Sequence, residues 1–295
     1  MSTSPDALPV YRDLIQVDEL AALMASGRPF MVFDCSFDLM NPAAGEAAFA
    51  QGHIPGAVYV HLDRDLSEKS GRPDEAASGG RHPLPTRPNF AAWLGDVGFG
   101  NDMQAVVYDR QGCNYCGRLW WMLKWLGHDA VAVLDGGLQA WSAAHPVEKL
   151  DATKIQKKIF KISDNQYRQS ATEDIAKNIG KLSQTVIDAR ATPRFKGEVE
   201  PLDPVAGHIP GALNRPFSLN LGADGKFKPA AQLRQEFEQL LGGRDPAGVV
   251  HHCGSGVSAV PNVLAMAIAG YGPTALYAGS WSEWCADPSR PVAQG

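Results

Sequence analysis

Residues 251–259 read HHCGSGVSA, with Cys253 set between a β-branched run and a loop of small residues. Gly254 and Gly256 let the backbone adopt positive φ and aim successive N–H groups inward, the geometry of an anion nest. A helix-period segment, SAVPNVLAMAIAG, follows, with Ser258 expected as its N-cap and Pro261 tolerable only in a first turn. The thiol is therefore expected to face amides and a helix N-terminus, which suits a nucleophilic thiolate or an anion docked against it. A free thiol of pKa about 8.5 is only about 3% ionised at pH 7, and lowering it by about two units takes roughly 2.7 kcal/mol. A helix terminus supplies about 0.3 to 1 kcal/mol, so the amide nest has to supply much of the rest.

Other chemistries fit this loop less well. His251, His252 and Cys253 are metal-ligand types, but adjacent strand residues point to opposite faces, so the three cannot converge and no metal site is expected. A phosphatase loop needs an arginine six residues after its cysteine, and Ala259 stands there, without a guanidinium to clamp a phosphoryl group. The other candidate thiols are Cys113 and Cys116, a CxxC ahead of a helix-period segment, the context of a redox pair.

The elements that position Cys253 occur twice. GHIPGAV at 52–58 returns as GHIPGAL at 207–213, and VFDCS, AVVYD and LDGGLQAW are followed in the same order by VIDAR, GVVHH and LYAGSWSEW. The offset falls from 155 between His53 and His208 to 143 between Trp141 and Trp284, so the first copy holds about 12 extra residues, placed in the polar stretch Asp63 to Pro85. Within each copy short apolar β-type runs alternate with helix-period segments, which predicts α/β domains, each a mainly parallel sheet with helices on both faces. Residues 1–145 form the first domain on this reading, 146–167 a polar linker, and 168–295 the second domain. Cys253 falls at the carboxyl end of a strand, where such folds carry function. Aligning the two copies puts Arg110 or Gln111 opposite Cys253, so the first domain is expected to be catalytically silent.

The chain has a formal charge of −5 and no basic stripe, which argues against nucleic acid or an anionic membrane as partner. There is no run of 18 apolar residues and no leader-like N-terminus. Five cysteines without a framework spacing fit a reducing compartment, and the cytoplasm is the expected location.

Taken together, the paired GHIPGA, the DGGLQAW and YAGSWSEW segments and CGSGVSA resemble the rhodanese superfamily, specifically the tandem-domain thiosulfate/3-mercaptopyruvate sulfurtransferases, over nearly the whole chain. CGSGVSA is similar to the CGSGVT-type loop of the mercaptopyruvate branch, where the thiosulfate branch usually carries a basic CRxGVT-type loop. The resemblance implies two tandem rhodanese-like domains and a persulfide on Cys253, formed from a small-molecule donor and passed to cyanide or a thiol acceptor such as a small thiol or thioredoxin-like protein. It implies no metal or organic cofactor. A proton relay maps onto Ser255, Asp63 and His82, and Arg194 onto a residue pairing the donor carboxylate, while Gly254, Gly256, Val257 and Ser258 complete the substrate loop. A second arginine, in an EPRDG-type stretch, is missing: the chain reads EPLDP, with Leu202 in its place. 3-Mercaptopyruvate is the expected donor, with thiosulfate through the same persulfide as the alternative. A CxxC thiol redox protein and a non-enzymatic rhodanese-like binding module are the remaining rivals.

Overall fold

The computed structural model describes residues 8–149, 156–164 and 167–295. The first half runs β1 (Leu14–Ile15), α1 (Val17–Ala25), β2 (Phe30–Asp34), α2 (Ala44–Gln51), β3 (Val58–Tyr59), α3 (Leu62–Asp65), α4 (Arg87–Asp96), β4 (Gln104–Tyr108), α5 (Cys116–Trp125), β5 (Val131–Leu134) and α6 (Gly137–Ser142). The second runs β6 (Arg168–Gln169), α7 (Thr172–Lys177), β7 (Thr185–Asp188), α8 (Thr192–Lys196), β8 (Leu213–Asn214), α9 (Ala230–Leu241), β9 (Val249–His252), α10 (Val260–Ile268), β10 (Ala275–Leu276) and α11 (Ser280–Trp284). Each half forms one parallel sheet, in the orders β1-β5-β4-β2-β3 and β6-β10-β9-β7-β8. The two orders are the same walk through the sheet, as a duplication requires. The central strands β4 and β9 are buried along their whole length, which is why AVVY and VV read as unbroken apolar runs.

The repeated motifs act as braces. In each GHIPG the histidine stacks on a phenylalanine, His53 on Phe49 and His208 on Phe195, both with centroids 3.8 Å apart, and its Nδ1 bonds the same phenylalanine's carbonyl at 2.8 Å. The backbone of each histidine bridges to the end of its own half, at Glu148 and Ala293. Trp141 and Trp284 then donate their indole N–H to Pro146 and Pro291. Identical bonding in both copies marks these motifs as structural.

The two halves share a core. Helix α5 is buried along every residue, and Gly117 permits its approach to α10: a Cβ there would lie 3.3 Å from Val260 Cγ1. One continuous apolar cluster joins Leu119, Trp120 and Leu123 to Val257, Val260, Val263 and Leu264. Of the segment read as a linker, residues 150–155 and 165–166 lie outside the described residues. Its described part is bound to the first half, with Lys158 N–H on Gly95 O at 2.9 Å and Phe160 stacked on Phe99. Among the described residues no helix is long and apolar enough to cross a membrane.

Candidate active site

Cys253 is the first residue beyond β9 and is 1% exposed. Its N–H donates to Ser280 Oγ at 3.1 Å, and that hydroxyl donates on to Tyr277 O at 2.9 Å. The carbonyls of Cys253 and Gly254 accept from the amides of Trp281 (3.0 Å) and Ser282 (2.9 Å), which turns the loop's carbonyls outward. Among the described residues no backbone or side-chain acceptor takes the amides of residues 254–258, so these N–H groups are available to an anion docked at the loop. Gly256 has φ +72, and a Cβ there would stand 2.1 Å from Ala278 O, so both conformation and space demand glycine. Val257 is buried in the shared core and Ser258 is half-buried. Ser258 is not the N-cap expected of it: Ala259 holds that position without a side-chain bond, because the residues ahead of Val260 already turn in helical conformation.

The extra residues of the first copy reach this loop. His82 Nδ1 lies 2.8 Å from Ser255 Oγ, and its Nε2 lies 3.3 Å from Asp63 Oδ1, on α3. Burial, together with the cations of Lys69 and Arg118 and against the pull of Asp63, lowers the His82 pKa to about 3. The imidazole is therefore neutral at physiological pH. Lys69 Nζ pairs with the same Asp63 oxygen, so Asp63 stands beside Nε2 as a neighbouring carboxylate, while the hydrogen bond that joins this segment to the loop is the one between His82 Nδ1 and Ser255 Oγ. The segment is anchored where it crosses: Arg81 N–H donates to Ser282 Oγ at 2.9 Å, and a Cβ on Gly80 would stand 2.4 Å from Gly279 O.

Two guanidinium groups close over the loop. A Cβ on Gly254 would lie 3.1 Å from Arg81 Nη2 and 3.6 Å from Arg194 Nη1. Both are held by buried carboxylates: Arg194 donates to Glu200 Oε1 at 2.6 Å and to Asp203 Oδ2 at 3.3 Å, and Arg81 pairs with the other oxygen of Asp203. Burial pushes the Asp203 pKa up, against the pull of Arg81 and Arg194. Arg194 thus lies beside Gly254 at the mouth of the loop. Leu202 is 37% exposed, and the second cation comes instead from Arg81 in the first half. The sequence carried a signal for it, since Arg81 adjoins His82 in GGRHP.

The corresponding loop of the first half corrects the alignment made from sequence. Register pairs Asp34 with Tyr108 and Asp188 with His252, so the residue after the strand, opposite Cys253, is Asp109. The bond from Leu138 N–H to Asp109 O matches that from Trp281 to Cys253. The Asp109 carboxylate accepts the amides of Gln111, Cys113, Tyr115 and Cys116 at 2.8 to 3.0 Å, so this nest is filled by the chain's own anion. Arg110, opposite Gly254, bonds Asp34 and Gly52 O, whereas in the second half Arg190 makes the equivalent bonds to Asp188 and Gly207 O from a different loop. That exchange leaves position 254 free to be glycine. Cys113 and Cys116 are buried free thiols hydrogen-bonded to each other, and burial raises the Cys116 pKa. His252 faces Asp188 at 3.5 Å, while His251 is fully buried without a hydrogen-bond partner.

The site therefore offers a buried thiol beside a loop with unclaimed amides, a histidine hydrogen-bonded to Ser255 with Asp63 beside it, and two cations at the mouth. The Rhodanese-like domain matches the chain twice, over residues 16–144 and 171–287. A probable 3-mercaptopyruvate sulfurtransferase from Pseudomonas aeruginosa is 43% identical over 96% of this chain and 98% of its own length. A putative thiosulfate sulfurtransferase, SseB, from Mycobacterium tuberculosis is 39% identical over 96% and 97%. The structure of 3-mercaptopyruvate sulfurtransferase from Leishmania major superposes with a TM-score of 0.80 at 28% identity, covering 93% of this chain and 74% of that one. With two matched copies and relatives aligned along nearly the whole length, the chain belongs to the rhodanese family of sulfurtransferases, as a tandem pair of rhodanese-like domains.

Proposed function

We propose that the protein takes a sulfane sulfur from 3-mercaptopyruvate onto Cys253 and passes it from the persulfide to cyanide or a thiol acceptor, a small thiol or a thioredoxin-like protein. The Cys253 thiolate attacks the donor sulfur, the S–S bond forms, and the donor C–S bond breaks with its electron pair moving to the pyruvate enolate. The donor's own thiol proton moves to that enolate carbon through Ser255, with His82 and Asp63 behind it, so the step needs no outside acid. Arg194 and Arg81 hold the donor carboxylate, and the amides of Gly254, Gly256, Val257 and Ser258 face the charge on sulfur. In the second step the acceptor thiolate attacks the outer sulfur and releases Cys253. The resting enzyme requires a reduced thiol and holds five free cysteines, which suits a reducing compartment such as the cytoplasm.

The observation that carries the choice of donor is the hydrogen bond of His82 to Ser255, with Asp63 beside its other nitrogen, because thiosulfate releases sulfite as a stable anion and has no proton to move. Thiosulfate is the second reading, favoured by the two guanidinium groups at the mouth. Intact mass after a pulse of donor tests the persulfide: a gain of about 32 Da on Cys253, removed by a thiol, is expected. kcat/KM for the two donors then decides between them. A higher value for thiosulfate would overturn the first reading.

A further inference from the structure

Arg118, the third residue of α5 in the silent domain, is 0% exposed and reaches the active loop of the other domain. Its guanidinium donates to Gly256 O (3.0 Å), His82 O (2.9 Å) and Leu66 O (3.2 Å), and its buried Nε has no partner. Among the described residues no carboxylate pairs with it. Arg190, equally buried, is matched by Asp188 and Glu200, Arg215 by Glu236, and Lys124 by Asp129. A desolvated cation with only carbonyl dipoles around it is among the costliest groups a protein can bury, and removing its countercharge leaves that cost in full. Burial draws its pKa down to about 10, opposed by Cys253; Arg190 also faces Cys253 but is matched by Asp188 and Glu200, and Arg81 and Arg194 at the mouth are matched by Asp203 and Glu200, which leaves Arg118 as the buried cation beside this loop with no carboxylate partner among the described residues.

Resting on the sulfurtransferase reading above, we infer that Arg118 is a positioning residue that holds Cys253 as a thiolate and later balances the persulfide anion. Its cation supplies, from the first domain, the stabilisation that a helix terminus and loop amides leave incomplete. Its fork also ties the carbonyls of Gly256 and His82 to one helix, so the nucleophile loop and the proton chain keep a common distance. A neutral side chain in the same place would preserve that tie without the charge, which separates the two roles experimentally.

The test is alkylation of Cys253 by iodoacetamide in the full chain, followed by intact mass and peptide mapping. R118Q, which keeps donors but no charge, and R118M are expected to alkylate at least about tenfold more slowly at pH 7, with the rate profile moved to higher pH and a similar plateau. R118K, which keeps the charge, is expected to retain most of the wild-type rate. An R118Q profile that superposes on the wild type overturns the inference and leaves Arg118 as an interdomain tie. If the neutral variants do not fold, the reciprocal change decides. C253S deprives Arg118 of its anion and should lower Tm by several degrees at pH 8, whereas C253D, which copies the Asp109 cradle, should restore it. Equal Tm values for C253S, C253D and the wild type would overturn it as well. Failure of the sulfurtransferase reading has a different signature, the absence of the donor-dependent mass gain whatever the alkylation rate.

Discussion

Asp203 stands between the two arginines expected to receive the donor, so Asp203→Asn is the sharpest probe of how the mouth selects its anion. Arg81 and Arg194 carry two positive charges there, and Glu200 and Asp203 carry two negative ones, leaving no net charge. A donor charge docked on the guanidinium groups lies on the order of 6 Å from the Asp203 carboxylate. At an effective dielectric near 20 that repulsion is about 2.8 kcal/mol per unit charge. The arginine side chains are 27% and 18% exposed, and screening at such a mouth reduces the figure to roughly half, about tenfold in affinity. Removing the charge should therefore lower KM for the 3-mercaptopyruvate monoanion about tenfold and for the thiosulfate dianion about a hundredfold. Steady-state kcat/KM for both donors should show their ratio moving about tenfold toward thiosulfate, and further at low ionic strength. A ratio that is unchanged, or that moves toward 3-mercaptopyruvate, would refute the charge argument and reduce Asp203 to a structural link between the domains.

The other expectations follow from the same contacts. Cys253→Ser should abolish sulfur transfer while Cys113→Ser and Cys116→Ser keep most of it; comparable loss at Cys113 would contradict a silent first domain. His82→Ala should cut kcat for 3-mercaptopyruvate on the order of a hundredfold and for thiosulfate only a few-fold, and equal losses would remove His82 from proton transfer. Gly256→Ala should destabilise by roughly 1 to 3 kcal/mol and depress kcat, since both φ and Ala278 O oppose a side chain; a wild-type Tm would contradict this. Burial holds His82 and His251 near a folded pKa of about 3 against about 6.5 in the unfolded chain. The unfolded state thus binds more protons below pH 6.5, and stability is lost as pH falls from 6.5 toward 3, by about 1.4 kcal/mol per pH unit for each histidine. Urea titrations between pH 6.5 and 5 should show this slope, and His251→Leu should remove about one proton's worth; an unaltered slope would rule His251 out.

Much of this was legible in the chain because it is local. Strand–helix alternation and the GHIPG pair are carried by a few residues each, and the two parallel sheets stand where the alternation put them. His82 and Asp63 were reached only through resemblance, since nothing in HLDRD or GGRHPLP states that the two meet Ser255. Arg81, Arg118 and Asp203 were missed as site residues because each acquires its role by crossing the seam between domains. The counterpart of Cys253 was misaligned for a related reason. Sequence alignment put Arg110 or Gln111 opposite Cys253, whereas strand register gives Asp109, and the bonds that Arg110 makes are made in the other half by Arg190, from a different loop.

The cradle that closes on Asp109 gives the first half a structural part in the second half's site. Its carboxylate gathers three amides ahead of α5 and that of Cys116, the first residue of the helix, and thereby fastens its start. Two residues into the helix stands Arg118, aimed at the neighbouring copy's loop. The same turn after a central strand thus holds a carboxylate tied to its own amides in one half and a cysteine beside unclaimed amides in the other. The two halves are thereby coupled through one helix, whose start is fastened by the first loop and whose third residue bonds the second.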